Sequence, residues 1–300
     1  LRKVRWEEMF PDELDNALSN CPVVYLTYGL CEPHGPYNAL GVDAFIPHGI
    51  ACVAAKRHGG VVAPPFFWHV HEMGLEAPWA HTTIGDRNPW LTSLPPWVFF
   101  KCVWFQFRAV ASRGFHAAVV LSGHSPYQRD LRKLADMFMR HSSLRVWAGG
   151  TRDAYSDQLP TEDGHAGAVE TSLMWAVQPS LVDLSRLLAS DSVDNVVGGA
   201  GTARKASRRE GERLVSHAAD WLGRKASELL ASYQQPLSGC GWRAPGDVAG
   251  ALTFDEAEAV WRSEVEPQLR GFTSFEKCYD YGDVPPDSPW AANERSSFYP

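Results

Sequence analysis

The sequence predicts an α/β fold, with a central, mostly parallel sheet flanked by helices on both faces in a single domain, and three observations carry that prediction. Short apolar runs at residues 23–26, 61–67, 117–121 and 144–147 have the length and the Val, Leu and Ala content of buried strands. Between them lie longer stretches with apolar residues at helical spacing, and such alternation favours a parallel sheet covered by helices. The chemistry-bearing residues sit just past predicted strand ends, Glu32, His34 and Asp43 after the first and His124 after the third, which is where ligands gather in folds of this kind.

Taken in order, residues 6–17 read as a short helix, and the first strand then ends in a Gly/Pro-rich loop. Ile46, Ile50, Val53 and Ala54 fall at helical spacing, so Asp43 stands at the N-terminus of a helix reaching about Arg57. The orphan backbone N–H groups and dipole there favour a carboxylate, and an ordinary N-cap is the simpler reading of Asp43 taken alone. His58-Gly59-Gly60 closes that helix, and Pro64-Pro65 interrupts the second strand. Residues 88–113 form an aromatic helix, which Lys101, Gln106, Arg108 and Pro95-Pro96 exclude as a membrane span, leaving burial in the core or at a subunit interface. Helical spacing returns at 129–139, and 151–163 is a polar loop suited to covering a substrate. A long helix is expected over 203–232 with its basic residues in water, and a short one over 255–265. The motifs all lie within 22–190, whereas 191–300 reads as helical and irregular. The Gly-rich run at 196–202 lacks the Gly-Lys-Ser/Thr of a phosphate cradle, and the tail around 279–283 reads as a segment wrapping its own or a neighbouring subunit.

Composition bounds the function. The chain has 300 residues, 45% of them hydrophobic and 21% charged, with a formal net charge of −7, so it can bury a sizeable core and gives no reason to expect nucleic-acid binding. The N-terminal residues carry charge without an apolar stretch, and no signal peptide is expected. Six cysteines without a Cys-x-x-Cys pair suggest a reduced protein of the cytoplasm. Cys31 reads as a small buried residue, with a soft ligand or nucleophile as the alternative.

Three stretches carry the candidate chemistry. Glu32, His34 and Asp43 supply two carboxylates and an imidazole within twelve residues, an N/O donor set that suits zinc, manganese or iron. His124 follows a strand, and the run from Asp163 through His165 to Glu170 enters a helix. Trp68-His69-Val70-His71-Glu72 is a further tempting cluster. Alternation places His69 and His71 on one side of an extended segment, where they could serve structure, line a substrate pocket or bind metal.

In order and spacing these stretches resemble the creatininase (creatinine amidohydrolase) family of binuclear metallohydrolases. Its pattern Glu-x-His-Gly-x-His-Leu-Pro-x-x-x-Asp is matched by Glu32, His34, Gly35 and Asp43, its Gly-His by Gly123-His124, and its His-Ala-Gly-x-x-Glu-Thr-Ser by 165–172 without a gap. The resemblance implies two divalent metal ions, zinc foremost with manganese or iron as alternatives. One would be held by Glu32, Asp43 and His124 and the other by His34, Asp43 and Glu170, with Asp43 bridging and His165 as the catalytic acid/base. It also implies a homo-oligomer, a hexamer in this family, and a small-molecule substrate.

The departures from the family pattern bear on the substrate. Tyr37 stands where most relatives have a second His, Asn38-Ala39 replaces Leu-Pro, and Ser125-Pro126-Tyr127 follows the Gly-His. Pro126 takes the place of the acidic residue that helps hold the catalytic water in creatininase itself. Leu159-Pro160-Thr161-Glu162 occupies the place of the tryptophans that close over creatinine. The expectation is therefore a hydrolase of a C–N bond in a small amide or cyclic amide other than creatinine, with Tyr37, His71, Ser125 and Tyr127 as substrate-binding residues. The same site in a dehydrating or ring-closing biosynthetic enzyme is the first alternative, and a non-catalytic binding or scaffold subunit is the second.

Overall fold

The computed structural model describes residues 2–71, 90–124, 127–159, 163–187, 201–233 and 250–272. Within these, four parallel strands form one sheet in the order β2-β1-β3-β4: β1 Val23–Tyr28, β2 Val61–Val62, β3 Ala117–Ser122 and β4 Arg145–Gly150. Two-residue alternation sends successive side chains to opposite faces. Val24, Leu26, Tyr28, Ala118 and Val120 enter one apolar layer, while Val23, Tyr25, Val119 and Leu121 enter the other.

The first layer is covered by α1 (Pro11–Asn20), α3 (Pro96–Arg113), α4 (Gln128–Met139) and a C-terminal helical segment. The second is covered by α2 (Val42–His58), α5 (Ala168–Val177) and α6 (Arg208–Ser232). In α3 the residues Phe99, Phe100, Val103, Trp104, Phe107, Val110 and Ala111 are buried at helical spacing. The aromatic stretch is thus core on that side, and the Trp104 indole donates to the Ala257 carbonyl at 3.0 Å. No helix among the described residues is long and apolar enough to cross a membrane.

Several boundaries differ from those the sequence suggests, each for a local reason. Residues 6–8 form a separate 3-10 turn because Pro11 starts α1 at its first position, where a missing N–H costs nothing. The second strand is only two residues long, since Pro64 and Pro65 cannot donate to a ladder, although Phe66 still bridges to Tyr28. Helix α3 begins at Pro96 rather than 88, and residue 88 lies outside the described residues. Helix α6 begins at Arg208, capped by the Ser207 side chain, after a 3-10 turn at Gly201–Lys205. The short C-terminal helix, α7 (Phe254–Val260), runs on into a π turn at Trp261–Val265. Most of the Gly-rich run before residue 201 and the tail around 279–283 lie outside the described residues.

Strand order decides where a site can form. The connection after β1 runs through α2 to β2 on one side and the connection after β3 runs through α4 to β4 on the other, so the carboxyl ends of β1 and β3 flank a crevice. Tyr28, Ser122 and Gly150 end their strands in register, which brings the chain after β1 level with the chain after β3.

Candidate metal centre

Asp43 is the second residue of α2, and its peptide is wedged between the ends of β1 and β3. A Cβ on Gly29 would fall 2.3 Å from the Asp43 carbonyl carbon, and one on Gly123 would fall 1.9 Å from its oxygen, so both positions require glycine. Pro47, inside α2, has no N–H to offer the Asp43 carbonyl, which leaves that carbonyl outside the usual helical ladder where Gly123 meets it. The helix is N-capped by Gly41 without a side-chain bond. The Asp43 carboxylate is therefore free of capping and reaches instead for two imidazoles. Its Oδ1 lies 3.2 Å from His34 Nε2 and its Oδ2 lies 3.2 Å from His124 Nδ1.

His34 is completely buried and its ring is aimed by the backbone. Nδ1–H donates to the Glu32 carbonyl at 3.0 Å, which turns Nε2 toward three carboxylates. Asp43 is 3.2 Å away, while Glu32 and Glu170 are each 3.7 Å away, yet Nε2 makes no aligned hydrogen bond with any of them. A ring nitrogen facing three anions at those separations needs a positive charge at that point, supplied by a proton or by a metal ion. Glu170, in the first turn of α5, is held by the Ala166 N–H, which donates to its Oε2 at 2.7 Å.

Glu32 is surrounded by nitrogen. Its Oε1 lies 3.6 Å from His165 Nδ1, 3.7 Å from His34 Nε2 and 3.8 Å from His124 Nδ1, and its Oε2 lies 2.8 Å from His71 Nε2. Three overlapping groups bring one donor atom from each member within 4.8 Å of the others: Glu32, His71 and His124; His34, Asp43 and Glu170; and Glu32, His34 and His165. All five sequence-nominated ligands thus meet, and His71 joins them. Cys31 belongs to none of these groups.

His165 is the open member of the cluster, with 41% of its side chain exposed. Its Nε2–H donates to the Pro33 carbonyl at 2.9 Å, so Nδ1 is the nitrogen that faces the carboxylates. The residue after it, Ala166, is the one non-glycine among the described residues with positive φ, at 55°. Tyr37 is buried below, and its hydroxyl donates to the Ala166 carbonyl at 2.8 Å. Asn38 donates to the His34 carbonyl at 3.0 Å and to the Thr171 hydroxyl at 3.1 Å. Two of the residues that depart from the family pattern thus tie the His34 loop to the segment that carries His165. Tyr127 is fully buried at the start of α4, 6.0 Å from His124 between ring centroids. Ser125 lies outside the described residues.

Burial alone favours a neutral His34 ring, but the carboxylates of Asp43 and Glu170 outweigh it and raise the group to about 10. For His124 burial is likewise outweighed, here chiefly by Glu32, and the ring is also raised to about 10. Burial opposes ionisation of Glu32, which His124 and His71 nevertheless hold well below the ordinary carboxylate range. Asp43, opposed by burial and by Glu32, is held low by His34 and His124.

In metal-free protein the raised histidines add stability that is complete below about pH 6.5 and lost as pH climbs toward 10. The depressed carboxylates add stability that is present above their unfolded values and lost as pH falls below them. A divalent ion replaces the protons where they leave. Zinc is therefore expected to raise the thermal midpoint of chelator-treated protein more at about pH 8.5 than at about pH 6, read by differential scanning fluorimetry. Equal shifts at the two pH values would contradict this charge assignment.

A family profile, creatinine amidohydrolase (creatininase), matches residues 7–225. The chain belongs to the creatininase family. Creatinine amidohydrolase of Pseudomonas putida is 25% identical to it over 244 residues, which is 71% of this chain and 90% of the relative. A crystal structure of creatininase superposes with a TM-score of 0.62 at 22% identity, covering 76% of this chain and 98% of the other. A putative creatinine amidohydrolase from Bacteroides fragilis gives the same TM-score at 21% identity, covering 80% and 100%. These solved structures share the creatininase fold with this chain.

Proposed function

We propose that the protein is a metal-dependent amidohydrolase that cleaves a C–N bond of a small amide or cyclic amide other than creatinine. The observation that carries this reading is the convergence of two ligand groups, Glu32/His71/His124 and His34/Asp43/Glu170, beside a half-open imidazole at the carboxyl end of a parallel sheet. Related creatininases include a manganese form and a zinc–zinc form, which supports a divalent pair here, with zinc first because imidazole and carboxylate suit it. When bound, such a pair supplies a water ionised at neutral pH and polarises a carbonyl oxygen.

The chain's own residues supply the rest. Asp43 spans both groups, and its buried charge is balanced by His34 and His124. His165, fixed by Pro33 with Nδ1 toward the cluster, is placed to accept a proton from the attacking water and return it to a leaving nitrogen. Tyr37 and Asn38 tie the His34 loop to the segment that carries His165. The missing tryptophans around 159–162 support a substrate other than creatinine.

Metal analysis after purification without chelator, with a panel of lactams and amides in 18O-labelled water, tests the reading. About two equivalents of divalent ion per chain and one solvent oxygen in a carboxylate product are expected. Protein that binds no ion, or a ring-closed product without solvent oxygen, would overturn it.

A further inference from the structure

We propose that His71 is itself a metal ligand. It makes the ion position of Glu32 and His124 rich in nitrogen, beside an oxygen-rich position formed by His34, Asp43 and Glu170. This rests on the metal-dependent reading above and changes its ligand set, since the family resemblance assigns Glu32, Asp43 and His124 to that ion and gives position 71 no part.

The geometry argues for ligation. His71 Nε2 is 2.8 Å from Glu32 Oε2, and its ring lies 5.2 Å from that of His124, inclined by 22°. Two ligands at about 2.0–2.2 Å from a common tetrahedral ion stand roughly 3.4 Å apart, so Glu32 and His71 need part by only about half an ångström to share one. Glu32, His71 and His124 are all at most 5% exposed, in a pocket whose carboxylate already has three other imidazoles near its second oxygen.

The segment that carries His71 is anchored on its other members. The His69 N–H donates to the Thr92 carbonyl at 3.3 Å and its carbonyl accepts from Leu94 at 2.9 Å, while Val70 is fully buried. The His69 ring packs on Phe99 at 4.1 Å and meets His124 edge-on at 5.2 Å, and its Nε2 lies 3.4 Å from the Ser122 hydroxyl. That hydroxyl donates to the His124 carbonyl at 2.7 Å. His69 therefore braces His124 from behind, and His71, two residues on, arrives at Glu32. Two imidazoles and one carboxylate favour zinc or iron over magnesium or calcium and leave positions open for water and substrate.

The competing role for His71 is that of a hydrogen-bond donor to Glu32 alone, and His71→Gln separates the two because glutamine keeps a donor but is a poor ligand. Wild-type, H71Q and H71A proteins are stripped of metal, reloaded with Co2+ and followed by visible absorption and by paramagnetically shifted ring N–H signals in proton NMR. Wild type is expected to bind two ions and, at saturation, to show one shifted ring N–H more than H71Q. In both variants one of the two ions binds at least about 100-fold more weakly. Equal numbers of shifted signals, or H71Q holding both ions with unchanged affinity, would overturn the assignment. Circular dichroism checks the fold of each variant, and should H71A fail to fold, the wild-type and H71Q spectra still decide. Wild-type protein that takes up no ion refutes the proposed function, whereas two ions bound equally by wild type and H71Q refute the role of His71 alone.

Discussion

Asp43→Asn is expected to lower kcat/KM by about 10^3-fold or more, the size of losing a buried electrostatic group worth roughly 4 kcal/mol at the reacting centre. Among the described residues, Asp43 is the carboxylate that faces both His34 and His124 at 3.2 Å, one oxygen to each, so it spans the two ligand groups. Asparagine has the same shape but brings no charge, and its amide N–H2 would point a donor at one of two ring nitrogens meant for a cation. The loss should appear as weaker loading of both ions and lower turnover at saturating metal, with circular dichroism unchanged because α2 is capped by Gly41 rather than by this side chain. Activity within about tenfold of wild type would remove Asp43 from the centre of the reaction.

Gly123→Ala is the second large effect, and it acts through backbone. The added methyl would stand 1.9 Å from the Asp43 carbonyl oxygen, closer than any real contact, and that oxygen belongs to the main chain of a buried helix start. Either β3 or α2 must shift, at a cost of about 3 kcal/mol, or a fall in Tm of roughly 6–9 °C. Metal affinity should fall with it, because the shift carries the Asp43 carboxylate or the neighbouring His124 away from the other. Gly271→Ala is the control: nothing lies within 4 Å of its Cβ position, and it should leave both Tm and metal affinity unchanged. A G123A protein as stable as wild type would mean that the close approach of the strand ends to α2 does not hold the site.

The elements most easily read from the sequence are those whose period is enforced by burial on both faces. Strands β1 and β3 are apolar throughout because each is covered by helices on two sides, and their ends, with Glu32 and His124 just beyond, follow from the same pattern. Less visible was what proline does at two places. Pro64-Pro65 cut β2 to two residues, and Pro47 sits inside α2 without ending it, while removing the hydrogen bond that the Asp43 carbonyl would otherwise accept. Tyr37 and Asn38 could be recognised as departures but not as a clamp, because their partners, Ala166 and Thr171, lie about 130 residues further along. For His71 the signal was present in its alternation with His69, yet a structural role or pocket lining fitted it better than ligation from the sequence alone, and only the fold brings Glu32 to 2.8 Å.

The sequence by itself determined the alternation of strand and helix, the family, and the identity of five candidate ligands and one candidate acid/base, because residue type and local spacing are properties of contiguous stretches. The tertiary structure decided that Glu32 stands among four imidazoles, that His71 is one of them, and that glycines on two separate loops admit the peptide of Asp43 between them. Those facts depend on strand order and on close approach between distant segments, and distance through space is not encoded in spacing along the chain.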